Sequence, residues 1–372
     1  MKKFIIKNII FLFPFIVFIT IPSYILIVSG EKFKNIDNIV KDNERYLIGY
    51  AYDEQNYWYL KYLESIKSKY DIFVLGTSKV LQFRSNMFTT TFYNAGYTIQ
   101  IIEDFIAFLE NIPESFTPTY LIIGLDHEMF NESWNLKYSI SDNNKWKNSF
   151  HKYPKFITFI MTWKDIINRK FGFSFRTIDK NIKYIGLNAN VNNKGFRNDG
   201  SMNYGIHVQK LLNNESSAHD YLFNDTFDRI NKGISRFEYG NSIDKKTIFK
   251  IKELLKYCQK RGVKLIAFLP PYADSVYSKM IESGKYNYIK EIYICLKPLF
   301  EEFGFELYDF SSASLCTSND NEMIDGFHGS DVTCQRMLIK MLENNSCLGE
   351  VTDISKLNYD LKNKCNNYII YE

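Results

Sequence analysis

The sequence predicts a three-layer α/β protein, a mainly parallel sheet covered by helices, behind one N-terminal transmembrane helix. Three observations predict it. Twenty consecutive residues, Ile9 to Val28, carry no charge. Beyond them, short apolar runs ending in Gly or Pro alternate with stretches whose apolar residues recur at helical spacing. That alternation is interrupted over residues 130–243 and then resumes, which predicts a central insertion or cap.

The uncharged run comes first. At 1.5 Å per residue it makes a helix roughly 30 Å long, the thickness of a bilayer's hydrocarbon core. A secretory signal has an apolar region of only about 7–15 residues, with Val28-Ser29-Gly30 as its one plausible cleavage site here. Pro14 and Pro22 are tolerated in a membrane span. Lys2, Lys3 and Lys7 precede the run, and Glu31, Lys32 and Lys34 follow it. The Lys excess on the short N-terminal side predicts a single-pass protein of the cell membrane, N-terminus cytoplasmic and body extracytoplasmic.

Residues 1–30 thus read as the anchor and 31–70 as a stalk with a leading helix. The stalk proper is the polar stretch 31–44, and Tyr46, Tyr50, Trp58, Leu60, Leu63 and Ile66 set a helical pattern over 45–68. Residues 71–343 form the α/β domain, and 344–372 a C-terminal tail. Its first strand is Asp71 to Gly76, followed by a helix marked by Ile101, Ile102, Phe105, Phe108 and Leu109. Tyr120 to Gly124 is the second strand. Within the insertion, helices are expected near 153–168 and 218–235, and Gly195 to Ser201 is a turn-rich polar loop. Ile248, Ile251, Leu254, Leu255 and Cys258 mark the next helix, capped by Ser242 or Asp244 and ended by Gly262. Val263 to Leu269 is the third strand, stopped by Pro270-Pro271. A helix over 286–302 must kink or end at Pro298. Phe305 to Phe310 is the fourth strand, and a last helix runs from Ser330 or Asp331 to about Leu342.

Composition narrows the chemistry. A net charge of +4 without a dense Lys/Arg stripe argues against a nucleic-acid partner. No G-x-G-x-x-G follows a strand and no Walker motif occurs, so no nucleotide cofactor is expected. The six cysteines, Cys258, Cys295, Cys316, Cys334, Cys347 and Cys365, form no CxxC pair and join no His at zinc spacing, which argues against a metal site. Disulfides stay open. His127-Glu128 lacks a second His four residues on, where Asn131 stands, and reads as a surface loop. His151, His207 and His219 read as surface or packing residues.

In open α/β sheets the ligand crevice lies at the carboxyl ends of the strands. That rule selects Ser78, in the turn Gly76-Thr77-Ser78 after the first strand, and Asp325 with His328, in Asp325-Gly326-Phe327-His328 before the last helix. A serine hydroxyl barely ionises at neutral pH. It needs a histidine to take its proton and a carboxylate to orient the ring. In the polar loop, Arg197 and Asp199 are candidate substrate-binding residues, though a turn of this composition needs no function.

These residues carry a resemblance. Gly76-Thr77-Ser78, Tyr93-Asn94-Ala95-Gly96 and the Asp325/His328 block match in order the blocks of the SGNH, or GDSL-type, hydrolases. The similarity extends over about 71–126 and 245–343. It implies a flavodoxin-like fold, a triad of Ser78, His328 and Asp325, and an oxyanion hole that includes Gly96. Two departures stand out. The usual G-D-S-L reads Gly76-Thr77-Ser78-Lys79, and the third block reads Gly124-Leu125-Asp126-His127, with Asp126 where an oxyanion-binding Asn is usual. An ionised Asp126 would repel an oxyanion, and losing one such donor costs roughly 10²–10³ in rate. The membrane helix, the G-T-S block and the strand ending in Pro-Pro resemble the membrane-anchored proteins of bacterial surface-polysaccharide O-acetylation and teichoic acid D-alanylation. The resemblance implies a serine acyltransferase or esterase acting on a cell-surface glycan, with an integral-membrane acyltransferase as a partner. The alternative is an inactive scaffold that binds glycan or that partner.

Overall fold

The structure, a computed structural model, describes residues 2–42, 44–138, 145–148, 151–171 and 179–371. Parts of the expected stalk and insertion, at residues 43, 139–144, 149–150 and 172–178, lie outside the described residues. The chain is mixed α/β and forms two compact units. One comprises Met1–Leu60, Ser149–Asn198 and Met202–Ile206, and the other Lys61–Asn148, Asp199–Ser201 and His207–Glu372.

The first unit begins with helix α1, Lys2–Val28. Its segment Ile6–Val28 is long and apolar enough to cross a membrane. Ile10, Phe11, Phe13 and Phe15 are exposed on it, as a buried core helix would not leave them. The described residues 31–42 are not a free stalk. Glu31 and Lys32 are both buried. Glu31 Oε1 accepts from the amides of Ala51 and Tyr52 at 2.8 and 2.9 Å, and its Oε2 from that of Leu187 at 2.8 Å. Lys32 pairs with Asp53. A short helix, Ile36–Lys41, follows, capped by Asn35. Charge marks a joint here because each buried polar group found a partner in the fold.

Tyr46–Ile48 is a strand, not the start of a helix. It pairs in parallel with Lys183–Ile185, and Ile48 lies antiparallel to Phe196. Gly195–Phe196 pairs in turn with Met202–Asn203, so the expected polar loop is flanked by a small hairpin. Helix α2, Phe156–Ile167, comes from the insertion.

The second unit holds a five-stranded sheet: β1 (Ile72–Leu75), β2 (Phe92–Asn94), β3 (Tyr120–Gly124), β4 (Lys264–Leu269) and β5 (Glu306–Asp309). Their order is β2-β1-β3-β4-β5, and every neighbouring pair is parallel. β1, β3 and β4 are near-continuous apolar runs because both faces of the sheet are buried. On one face Ile72, Val74, Ile122, Ile266 and Phe268 pack with Met337, Leu338 and Met341 of helix α4, Asp331–Glu343, which follows helix α3, Lys245–Lys260. Asp244 caps α3 and Ser330 caps α4 through their side-chain oxygens. β2 is the strand without a sequence signal. It is three residues long at a sheet edge, too short to show a period.

Helix Tyr288–Glu302 runs through Pro298. The carbonyl that Pro298 leaves unpaired belongs to Ile294, on an exposed face where water can reach it. The C-terminal tail folds onto the sheet unit. Helix Ile354–Lys362 buries Leu357, whose carbonyl accepts from Gln335 Nε2 at 2.7 Å. All six cysteines are free thiols.

Candidate active site

Ser78 owes its position to a valine and three glycines. Gly76 follows the end of β1, and Ser78–Val80 then forms one short 3₁₀ turn capped by Thr77. The Val80 side chain fills the space where Cβ atoms of Gly76, Gly96 and Gly124 would stand, at 2.8, 2.6 and 2.5 Å. Gly76 and Gly96 come just after β1 and β2 and Gly124 ends β3, so the serine turn is wedged against three strand ends. The expected result for Gly124→Ala is a loss of roughly 1–3 kcal/mol by overpacking, read as a lowered urea-unfolding midpoint.

His328 and Asp325 sit on the turn between β5 and α4. Asp325 Oδ1 accepts from the amides of Phe327 and His328 at 3.0 and 2.9 Å, and its Oδ2 lies 2.7 Å from His328 Nδ1. The backbone of Ile324 bonds back to His328, closing the turn. Gly326 donates to Asp220 Oδ2 at 3.0 Å, so the insertion braces it from outside. His328 Nε2 lies 2.7 Å from Ser78 Oγ. With Nδ1–H directed to the carboxylate, Nε2 is bare and accepts from the serine hydroxyl. Asp325 is buried, whereas Ser78 and His328 are partly exposed.

Burial works to raise the Asp325 carboxyl. The charge and hydrogen bond of His328, with the two amides, outweigh it and hold the group at about 2, below its ordinary 3.8. A lowered carboxyl gives stability that is present above the ordinary value and lost as pH falls through the folded one. Between about pH 4 and pH 2 the wild-type chain should lose roughly 2 kcal/mol through this group. Urea unfolding of Asp325→Asn over that window should lack this component.

Behind the serine lies a buried charge cluster. Lys79 Nζ is 3.0 Å from Glu128 Oε2 and 3.6 Å from Asp126 Oδ2. Arg236 reaches the same carboxylates, at 2.5 Å to Glu128 Oε1 and 3.6 Å to Asp126 Oδ2. Two cations meet two anions, so the cluster is neutral overall. Lys79, Asp126 and Glu128 are fully buried, and Arg236 is partly exposed. Arg236 and its neighbour Ser235 are both in the left-handed region, at φ 82° and 55°, which is costly for non-glycine residues. Burial raises the Asp126 carboxyl despite Lys79. For Glu128, Lys79 and Arg236 overcome burial and lower it. Lys79 also lies 4.8 Å from the Tyr272 ring centre and 5.9 Å from that of Phe327, the residue before His328.

His127 and Glu128 are thus core residues and not a surface loop. Ser311 Oγ donates to Asp309 Oδ1 at 2.6 Å, which leaves His127 Nε2–H to donate to Ser311 Oγ at 2.8 Å. Burial, and Lys79 next, push the His127 ring down to about 3, so it stays neutral. Serine, histidine and aspartate meet here too, but the carboxylate holds the serine and not the ring.

Ser78, Asp325 and His328 come together, and the other expected residues have different surroundings. The Gly96 amide donates to Asn94 Oδ1 at 2.9 Å, and its missing side chain makes room for Val80. That places Gly96 as a packing residue and not as an oxyanion donor. Asp126 is no donor either: Oδ2 accepts from Thr77 Oγ1 at 2.6 Å and faces two cations. Asp199 holds the amide and hydroxyl of Ser85, at 3.0 and 3.2 Å, and those of Ser201, at 3.0 and 2.6 Å, which makes it a loop brace. Arg197 is a half-buried residue of the first unit. His151 bonds Gln55, and the rings of His207 and His219 meet edge to face. Sequence reading passed over Lys79, Glu128 and Arg236. Its one signal was a Lys directly after the serine, in a block that usually carries Leu. No family model, curated protein or solved structure matches the chain.

Proposed function

We propose that Ser78, His328 and Asp325 act as nucleophile, base and orienting acid, and that the chain is a membrane-anchored serine acyltransferase or esterase. The observation that carries this reading is the continuous chain of contacts from Ser78 Oγ to His328 Nε2, and from His328 Nδ1 to Asp325 Oδ2, each 2.7 Å. The strand order supports a flavodoxin-like, three-layer arrangement, because β2-β1-β3-β4-β5 is that fold's order and Ser78 stands just past the carboxyl end of β1. Together with the block resemblance of Gly76 to Ser78 and Asp325 to His328, this favours the SGNH-like class.

Chemically, Ser78 Oγ attacks the acyl carbonyl as His328 Nε2 takes its proton. The proton then passes to the leaving alcohol, and an acyl-serine remains. A sugar hydroxyl or water, deprotonated by the same ring, attacks that ester and restores the serine. The proposed substrate is an acyl group, acetyl by the resemblance, on or bound for a cell-surface glycan. An integral-membrane acyltransferase is the proposed partner, and the membrane face is extracytoplasmic.

The engagement of Asp126 and Gly96 favours a second reading, an inactive scaffold that binds glycan or the acyl-export partner, because neither residue is placed as an oxyanion donor. A fluorophosphonate probe separates the two. Peptide mass spectrometry of the treated full chain should find the adduct on Ser78, and none in His328→Ala. An unlabelled Ser78 in the folded wild-type chain sinks the enzymatic reading.

A further inference from the structure

Helix α2 is built the wrong way round for water. Its outward stripe consists of Phe156, Ile157, Ile160, Met161 and Ile167, from 74% down to 40% exposed, while the fully buried positions are Thr158 and Thr162. Thr162 Oγ1 donates to the carbonyl of Thr158 at 2.7 Å, so the inward hydroxyl is locally satisfied. A surface helix of a water-soluble unit places its apolar stripe inward, and a contiguous outward one marks an interaction face.

Two further observations identify what covers it. First, the stripe is continuous with the exposed apolar surface of α1. Phe156 and Trp163, two turns apart on α2, both reach Phe18, with ring centres 6.0 and 6.5 Å away, and Trp163 Nε1 donates to the Phe18 carbonyl at 2.9 Å. Phe159 and Ile166 pack against the cluster that Ile25 and Leu26 of α1 form with Leu187. Phe156 and Trp163 are separated by seven residues, so α2 packs on α1 over about two of its own turns. The two helices meet within the apolar segment at Phe18, while Lys152, just before α2, accepts through its carbonyl from the amide of Phe33, just past the end of α1. Second, cations flank the apolar stripe, Lys152 and Lys155 before it and Arg169 and Lys170 after it, with Lys170 also paired to Asp165 at 2.8 Å, and Lys164 stands on the stripe itself. Long basic side chains can lie along apolar surface and lift their charge to a phosphate layer.

We infer that α2 is a second membrane-embedded element, a helix packed against the anchor with its Phe156–Ile167 stripe in the lipid acyl chains and its basic flanks at anionic headgroups. This rests on α1 spanning a bilayer. The partner is lipid itself. A helix meets the requirement of satisfying its backbone internally, and Thr158 and Thr162 face protein and not lipid. The first unit is then held by a span and a second helix packed on it, which limits its rotation about the anchor as a single helix would not.

Tryptophan quenching tests this with the full chain in phosphatidylcholine/phosphatidylglycerol vesicles whose acyl chains are brominated. Three variants are compared with wild type: I160W on the stripe, F11W on α1, and F249W on exposed Phe249 of α3. The expected result is that I160W loses as large a fraction of its added fluorescence as F11W, while F249W loses none. I157W serves as the second stripe probe. If F11W is quenched but I160W and I157W are not, and both stay open to aqueous iodide, the inference is overturned while the anchor stands, and the stripe belongs to a protein partner. If F11W is not quenched either, the anchor reading fails and takes this one with it.

Discussion

Replacing Ser78 by Ala should lower acyl transfer or ester hydrolysis by a factor on the order of 10⁴ to 10⁶, with the unfolding midpoint unchanged. The size follows from what the hydroxyl does in the proposed reaction. It forms the covalent bond to the acyl group, and without it His328 can at best activate water against an unattached substrate. The unchanged stability follows from exposure: Ser78 is partly open, and among the described residues its side chain bonds to the partly exposed His328 ring. His328→Ala should fall nearly as far, and the S78A/H328A pair little further, because groups that act as a unit lose their effect together. The measurements are p-nitrophenyl acetate turnover by the purified chain and the acyl content of the surface glycan in cells. Full retention of both by a normally abundant S78A protein would refute the enzymatic reading and leave the scaffold.

The largest structural effect is expected at the next residue. Lys79→Met should destabilise the chain by about 3–5 kcal/mol, since it leaves Asp126 and Glu128 buried with only Arg236 for charge compensation. The companion variant distinguishes this from simple loss of packing. If unpaired charge is the cause, K79M/E128Q should recover a large part of the loss, giving a coupling of a few kcal/mol in a double-mutant cycle. Urea unfolding of the four proteins reads it directly. Additive losses would mean that Lys79 matters for its packing against Tyr272 and Phe327, not for its charge.

Much of the fold was legible because both faces of the sheet are buried. β1, β3 and β4 carry near-continuous apolar runs, and Asp244 and Ser330 announce helix starts by their side chains. The strand-end rule selected Ser78, Asp325 and His328 from a chain of 372 residues, using only their places between elements. Less was legible wherever polarity and burial part company. Glu31, Lys32, His127 and Glu128 read as stalk or loop because charge ordinarily means exposure, yet each is buried among partners remote in sequence. The reverse error belongs to α2, whose apolar residues read as an ordinary helix although they face outward.

The sequence by itself determined the local facts: an apolar segment long enough to cross a membrane, the alternation of strands with helices, the capped helix ends, and a serine turn and an Asp/His turn at strand ends. Each depends on residues within a few positions of one another, where steric preference, capping and periodicity act. Only the tertiary structure decided the strand order, the 2.7 Å approach of His328 to Ser78 across 250 residues, and the Lys79–Asp126–Glu128–Arg236 cluster behind them. It also decided that Gly96 makes room for Val80 and that Asp126 answers to two cations. The physical reason is that a buried charge or a close approach is set by what arrives from elsewhere in the chain, and no local preference encodes that arrival.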